Sequence, residues 1–209
     1  MLLRTAVLSC ALLATSAQAA VVAINFDEEY SNGTAPFGVA PWLSATFNDG
    51  GGSGSVDLTF TAVNLVNSEF VSQVSFNLNP ALNPNSLVFS APTTVNGVYG
   101  MPSIVVGSHG AAGTGKYDFK IDFDIAPPPD RFNALDSVRY TITGIPNLVA
   151  SDFDFMSTGG GNGAYTAAAH VQGVGPNANL SGWVGNGNIP EPASLALIAL
   201  APVLLKRRR

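Results

Sequence analysis

Hydrophobic and polar residues alternate along many short stretches of the chain, and a period of two residues is typical of β-strands with one buried face. The clearest stretch is 116–125, where the side chains predicted to face inward are Tyr117, Phe119, Ile121, Phe123 and Ile125. Similar alternation or short apolar runs predict further strands at residues 21–26, 42–47, 57–63, 71–79, 86–89, 104–106, 137–143, 149–155 and 164–171.

Clusters of glycine, proline and asparagine separate these predicted strands, and such residues are typical of turns. No convincing amphipathic helix lies between them, so the pattern predicts an all-β fold: a single antiparallel β-sandwich, jelly-roll-like, over residues 20–187. Residues 173–188 are rich in glycine and asparagine, and we expect them to form a tether at the end of this domain.

The C-terminal segment has three parts: Pro190-Glu191-Pro192, an uncharged apolar run over 193–205, and the basic cluster Lys206, Arg207, Arg208, Arg209. The prolines fix φ and predict an extended, accessible tripeptide. The apolar run predicts a hydrophobic helix of roughly 20 Å, short against the ~30 Å hydrocarbon core of a bilayer. The four cations suit a cytoplasmic flank, so the segment predicts a short membrane anchor.

This order of tripeptide, apolar run and basic cluster resembles the PEP-CTERM sorting signal of Gram-negative bacteria, over residues 188–209. The resemblance implies that a membrane-embedded exosortase recognises Pro190, Glu191 and Pro192 and releases or transfers the protein. It also implies a setting in which exopolysaccharide is made and flocs or biofilms form. Residues 167–173 and 182–184 are similar to a run in many ectodomains of this class whose activity is unassigned. The alternative is an ordinary C-terminal tail anchor.

The N-terminal segment has the features of a secretory signal peptide. A positive start at Arg4 precedes a mostly apolar stretch, and the small residues Ala17 and Ala19 predict that signal peptidase cleaves after residue 19. The one cysteine, Cys10, lies inside this segment. A lipoprotein signal ending at Cys10 is the alternative, but it leaves a short apolar run. Cleavage after Ala19 removes the cysteine, so the mature chain has no thiol for disulfides, metal binding or catalysis.

The net charge of the chain limits the classes of molecule that it is expected to bind. Residues 20–189 contain thirteen acidic residues and four cations, a net charge of −9, because most of the basic residues lie in the two terminal segments. A strongly acidic surface repels nucleic acid and anionic lipid, and it is compatible with divalent cations and neutral polymers. We therefore expect no nucleic-acid partner.

Paired carboxylates are the weak metal candidates. Asp122 and Asp124 alternate along one predicted strand, and Asp152 and Asp154 form a second pair with the same spacing. Acidic extracellular β-domains often bind calcium, which takes six to eight oxygen ligands. Lysines interleave with the first pair, which favours a solvated face instead, and no sequence motif of a calcium loop is present.

Other motifs have simpler structural interpretations. Residues 110–116 approach the spacing of a phosphate-binding loop, but Tyr117 follows the lysine where Ser or Thr would bind magnesium, so we expect a glycine-rich hairpin turn. His109 and His170 have no metal-ligand spacing, and His170 is expected to be a core histidine with a backbone partner. No Gly-x-Ser-x-Gly elbow is present, and a secreted hydrolase would need two carboxylates in a deep cleft.

The sequence predicts an exported, non-enzymatic protein without a cofactor. Its expected partners are signal peptidase, an exosortase, the inner membrane as a transient anchor, and exopolysaccharide, which it would contact as a structural or adhesive matrix component at the cell surface. The alternative is a carbohydrate-binding module, calcium-dependent or not, whose aromatic residues stack on sugars. Its candidate aromatic residues are Trp42, Trp183, Tyr30, Tyr99 and Tyr165.

Overall fold

The computed structural model describes residues 19–127 and 129–186, and over this range the protein is all-β with two antiparallel sheets. Two 3₁₀ helices, Pro84–Ser86 and Ala150–Phe153, lie between strands. The strands are β1 Val21–Phe26, β2 Glu28–Glu29, β3 Leu43–Asn48, β4 Val56–Thr61, β5 Phe70–Phe76, β6 Val88–Phe89, β7 Thr93–Asn96, β8 Ser103–Gly110, β9 Lys116–Asp122, β10 Phe132–Asn133, β11 Ser137–Thr143, β12 Ala167–Val174 and β13 Leu180–Gly185.

Sheet 1 has the strand order β1-β3-β4-β11-β6, and β7 also pairs with β11. β6 and β7 therefore share one edge of the sheet, and residues 90–92 interrupt that edge between them. The opposite edge is β1, which pairs with β3 along its whole length from Val21 to Phe26.

Sheet 2 has the order β2-β13-β12-β5-β9-β8, and β10 adds to β5 beside β9. Two of its pairings contain register shifts, one between His170 and Val171 of β12 and one between Val106 and His109 of β8. Such β-bulges change which face the following side chains occupy. Here they determine how His170 and His109 are placed on the outer surface of sheet 2.

The inner faces of the two sheets meet in one hydrophobic core that is rich in phenylalanine. Phe47 of β3 lies edge-on to Phe76 of β5 with ring centroids 5.4 Å apart, and it stacks on Phe153 of the second 3₁₀ helix at 4.4 Å. Phe60 of β4 stacks on Phe132 of β10 at 5.5 Å. Aromatic pairs at these separations add stabilisation beyond the area that they bury.

The alternating pattern located the main strands correctly. β1 and β11 have the predicted bounds, and alternate side chains of β4 and β11 are buried, as a period of two requires. Tyr117, Phe119 and Ile121 of β9, and Phe123 directly after it, are buried as predicted. The glycine-rich segment is a hairpin turn as predicted, with Gly110 opposite Lys116.

Ile125 was predicted to face inward, and this was wrong because its side chain is 60 % exposed. β9 ends at Asp122, and the Asp124 side chain then accepts a hydrogen bond from the Ala126 N–H at 2.7 Å. This local turn is typical of aspartate and takes residue 125 out of the strand.

The strand predicted at 149–155 was also wrong, because residues 150–153 form a 3₁₀ helix. The Asp152 carboxylate accepts a hydrogen bond from the Val149 N–H at the start of this turn. Ala150 and Phe153 are both buried. Their spacing of three residues is the repeat of a 3₁₀ helix and differs from the period of two that a strand requires.

The predicted tether at 173–188 was wrong over its described part, because residues 180–185 form β13, which pairs with both β12 and β2. The glycines that suggested flexibility have a packing role instead. A Cβ at Gly182 would lie 2.5 Å from the Thr34 carbonyl oxygen, and a Cβ at Gly185 would lie 2.6 Å from the Tyr165 ring. Glycine permits both close approaches.

The predicted terminal signals lie outside the described residues, apart from Ala19, which is exposed. This applies to Ala17, to the Pro190–Pro192 tripeptide, to the hydrophobic helix predicted at 193–205, and to the basic cluster 206–209. Within 19–127 and 129–186, no helix is long and apolar enough to cross a bilayer.

Replacing Phe60 with alanine tests the role of the aromatic core. Phe60 is fully buried and contacts Phe26, Phe76, Phe123 and Phe132. We expect Phe60→Ala to lower the free energy of unfolding by about 3–5 kcal/mol, because it removes a large buried side chain and leaves a cavity. Denaturant titration measures the change. Thr59→Ala, on the outer face of the same strand, is the control and should change it by less than about 1 kcal/mol.

Candidate functional site

A row of polar side chains crosses the outer face of sheet 2. Trp183 pairs with His170, His170 with Gln73, Gln73 with Asp122, and Asp122 with Ser103. These five residues, which we call the polar row, belong to five adjacent strands. At ~4.8 Å between strands, the row is about 19 Å long. In each strand at least one residue next to the row belongs to the core or packs against it, so the polar row faces outward.

One end of the polar row is a stacked pair of rings. The His170 imidazole lies on the Trp183 indole with centroids 4.8 Å apart and planes 14° from parallel. The bulge at His170 brings the Ser72 hydroxyl to 3.0 Å from His170 Nδ1, and Gln172 Nε2 lies 3.3 Å from the same nitrogen. His170 was expected to be a core histidine with a backbone partner. It is half-buried on the outer face, with side-chain partners.

The second histidine is held beside the row by the bulge in β8. His109 Nδ1 lies 3.0 Å from the Gly107 carbonyl oxygen, and Nε2 lies 3.1 Å from the Ser75 hydroxyl. Because a carbonyl only accepts, neutral His109 carries its proton on Nδ1, and Ser75 donates to Nε2. Gln73 of the polar row donates to the Ser75 oxygen at 3.1 Å. A chain of hydrogen bonds thus connects Gln73, Ser75 and His109.

Both imidazoles favour the neutral form. Burial lowers the pKa of His170. Burial also lowers the pKa of His109, and the Lys120 charge adds to this effect, although the Gly107 hydrogen bond and the charges of Asp122 and Asp118 oppose it. Since an unperturbed histidine titrates near pH 6.5, both rings are neutral at pH 7.

The charges in this part of the face are paired. Lys120 Nζ lies 2.7 Å from Asp122 Oδ2 and donates to Asp122 Oδ1 at 2.9 Å. The interleaved lysine thus neutralises the Asp122 carboxylate. Asp118 has a different role, since its Oδ2 accepts a hydrogen bond from the Leu78 N–H at 2.9 Å. The polar row therefore presents neutral donors and acceptors and one compensated ion pair.

The four calcium candidates are not gathered into a metal site. Asp122 forms the ion pair, Asp124 accepts its turn hydrogen bond, and Asp154 is exposed after the 3₁₀ helix. Asp152 uses both carboxylate oxygens, one for Asn79 Nδ2 at 3.0 Å and one for the Val149 N–H at 3.1 Å. In the described part of the chain, no group of three or more histidine, cysteine, aspartate or glutamate side chains could hold a metal ion.

Two of the five candidate stacking aromatics, Trp42 and Tyr165, are buried. Trp42 is buried, with Nε1 donating to the Gly38 carbonyl at 2.8 Å. Tyr30 and Tyr165 stack on each other with centroids 4.6 Å apart, and Tyr99 donates a hydrogen bond to the Ser137 carbonyl at 2.7 Å. Tyr30, Tyr99 and Trp183 are each half-buried, and Trp183 is the one that lies in the polar row.

The arrangement differs from known hydrolytic sites. Ser75 is fully buried, and the second ring nitrogen of His109 contacts a carbonyl where a catalytic triad would place a carboxylate. A pocket of about 420 Å³ lies beside the end of β5, but the acidic side chain among its described lining residues is Asp118, without an acidic partner there. Glycoside hydrolysis uses two facing carboxylates.

No protein-family model matches this chain, and neither a curated protein nor a solved structure shows significant similarity to it.

Trp183, His170 and Asp122 were candidates from the sequence for separate reasons, and the structure brings them together with Gln73 and Ser103, which no sequence motif indicated. Alternation placed each of these residues on a strand, but it did not show which residues lie opposite one another. The bulges at His170 and near Gly107 leave no clear signal in the sequence, and they set the positions of both histidines.

The neutral histidines predict a loss of stability in acid. A base whose pKa is lower in the folded state binds more protons when unfolded, so stability is complete above the unfolded pKa near 6.5 and falls as the pH decreases below it. We expect the free energy of unfolding to decrease from pH 7 to pH 5. His109→Gln and His170→Gln should each reduce this slope, measured by denaturant titration at several pH values. An unchanged slope in both variants would contradict the assignment.

Proposed function

We propose that this protein is an exported, non-enzymatic component of an extracellular polysaccharide matrix, and that the polar row of sheet 2 contacts a neutral polysaccharide. The observation that carries the second part is the continuous row Trp183–His170–Gln73–Asp122–Ser103 across five strands. Sugar hydroxyls both donate and accept hydrogen bonds, and amide, imidazole, carboxylate and hydroxyl groups together offer both functions.

The charge of the domain supports a neutral ligand over an anionic one. Residues 20–189 have a net charge of −9, which repels polyanions at a distance. The row itself contains little free charge, because Asp122 is paired with Lys120 and both nearby histidines favour the neutral form. A neutral, hydroxyl-rich polymer meets neither repulsion nor a need to desolvate an unpaired ion.

The shape of the row favours a linear polymer over a small sugar. The five side chains lie along one line of about 19 Å, and their neighbours on the same face include Ser75 and Lys120. An open strip of this length offers many weak contacts in place of one enclosed pocket. Such contacts suit adhesion, in which affinity comes from repeated attachment along a polymer.

The terminal segments support the cellular setting that we propose. The protein is exported by the signal peptide at 1–19, is anchored transiently in the inner membrane by a hydrophobic helix at 193–205, and is sorted by an exosortase at Pro190–Pro192 to the cell surface or matrix. Between these segments, the two sheets form a jelly-roll-like β-sandwich. The support is the resemblance of residues 188–209 to a PEP-CTERM signal and the pairing of aromatic rings between the sheets.

A binding experiment tests the polar row. Gln73→Ala and Gln172→Ala each remove one half-buried amide from this face, and we expect each to weaken binding to the matching neutral polysaccharide about 3- to 10-fold. A glycan array with the whole mature protein identifies the ligand, and titration measures the affinities. Thr46→Ala and Thr59→Ala, paired on the outer face of sheet 1, are the controls and should bind like the wild type.

The same titration distinguishes the alternatives. Equal loss of binding in the sheet 1 controls, or binding to none of the neutral polysaccharides, would contradict the role of the polar row. Loss of binding after calcium is removed would instead support the calcium-dependent carbohydrate-binding module. Circular dichroism of each variant checks that the fold is retained.

Replacing Pro190 and Pro192 with alanine tests the sorting signal. The prolines hold the tripeptide extended, so we expect the double variant to remain unprocessed in the inner membrane. Membrane fractionation and mass spectrometry of the C-terminus measure the outcome. Pro127→Ala, in an exposed loop, is the matched control and should be processed normally. Normal release of the double variant would count against exosortase sorting.

A further inference from the structure

Asp49 lies where the first strand of the predicted mature chain begins. Its Oδ1 accepts hydrogen bonds from the backbone N–H groups of Ala20 at 2.9 Å and Gly51 at 3.0 Å, and its Oδ2 accepts one from Ala150 at 3.3 Å. The Asp49 N–H donates in return to the Ala20 carbonyl at 3.3 Å. One carboxylate therefore joins the start of β1, the turn after β3 and the second 3₁₀ helix.

The hydrogen bonds to Gly51, Ala20 and Ala150 hold the pKa of Asp49 below its ordinary value, although desolvation opposes them. Asp49 is therefore ionised at neutral pH. Ala20 is the residue after the predicted cleavage site, so cleavage changes the chemical group that contains the nitrogen donating to Asp49. In the precursor, Ala20 N belongs to a neutral amide. After cleavage, the same nitrogen is a primary α-ammonium group with a positive charge.

We infer that Asp49 is a binding site for the α-ammonium group that signal peptidase creates at Ala20, so that processing converts a hydrogen bond from a neutral amide into an ion pair that fixes the first strand. This inference rests on the export part of the proposed function. Cleavage hydrolyses the Ala19–Ala20 peptide bond with one water molecule, leaving a carboxylate on the removed peptide and an amine at Ala20. At neutral pH the amine takes up a proton.

Because Ala20 directly precedes β1, its contact with Asp49 affects the stability of that strand. β1 follows it directly and pairs with β3 from Val21 to Phe26, and its side chains Ile24 and Phe26 belong to the core. Strand ends fray when nothing holds them, and chain termini are the usual sites of fraying. An ion pair at the first residue opposes fraying of a strand that closes one edge of sheet 1.

The charged groups around the new terminus favour the ion pair. Asp57 lines the same small surface pocket as Asp49. Asp152 lies in the 3₁₀ helix whose Ala150 N–H reaches Asp49. Both groups are acidic and attract an ammonium group.

The ion pair has a defined pH range. An α-amino group has an unperturbed pKa near 7.7–8.0, and a partner carboxylate raises this value in the folded state. Stability from the ion pair is therefore complete below the unfolded pKa and is lost as the pH rises through the higher folded value.

The experiment compares two forms of the chain from Ala20 to Arg209 in detergent, one with a free α-amine and one with an acetylated α-amine. At pH 6 we expect the free form to unfold about 1–3 °C higher, the range for an exposed ion pair in a domain of this size. At pH 10 the difference should disappear. NMR titration of the labelled amine should give a pKa several tenths of a unit above that of an unstructured peptide with the same first residues.

Asp49→Asn removes the charge, and in this variant the difference between the free and acetylated forms should vanish at pH 6. Asp124→Asn is the matched control, because Asp124 also accepts a turn hydrogen bond but lies far along the chain, and it should keep the difference. An amine pKa equal to that of the peptide, or a difference that persists in Asp49→Asn, would overturn the inference.

Mass spectrometry of the exported protein separates this inference from the broader proposal. A mature N-terminus at Ala20 supports both. Cleavage at another residue in an exported protein would overturn the Asp49 inference and leave the matrix function standing. A protein that is never exported would overturn both.

Discussion

Contact between the phenylalanine rings of the two sheets is the interaction on which the rest of this molecule depends. The chain contains one cysteine, so no intramolecular disulfide can hold the two sheets together. Cohesion depends instead on buried rings such as Phe47 against Phe76 and Phe60 against Phe132. Each strand that supplies a ring inward also presents a polar side chain outward. The core therefore determines where the outer surface lies and which residues compose it.

The polar row illustrates this dependence. Val74, Ile121 and Ala169 are buried in the core, and their neighbours Gln73, Asp122 and His170 must point the other way. Two bulges then adjust what lies beside the row, bringing Ser72 to His170 and His109 to Ser75. Each histidine is half-buried beside a serine hydroxyl. Because burial lowers the pKa of both rings, both favour the neutral form. The polar row therefore carries little unpaired charge, although the domain as a whole is acidic.

Much of the fold could be predicted from the sequence, because burial of one strand face leaves a period of two in the residues. That signal located β9 and β11 with their inward side chains. It failed at β13, where the glycine-rich composition suggested a flexible tether. In the structure these glycines allow close packing against Thr34 and Tyr165. It also failed at Ile125 and at Ala150–Phe153, where an aspartate side chain bonds the local backbone. The candidate site could be predicted only residue by residue, since opposite positions on neighbouring strands depend on register and bulges that are set in three dimensions.

The interrupted edge of sheet 1 has a consequence for contacts between copies of this protein. Stacking of copies into a fibril requires two continuous free edges on one sheet, so that each molecule can add a neighbour on both sides. β1 offers one continuous edge, but the opposite edge is divided into β6 and β7 by residues 90–92, which include Pro92 with no N–H to donate. Within sheet 1, strand addition could therefore join two copies along β1 but would not continue along the divided edge.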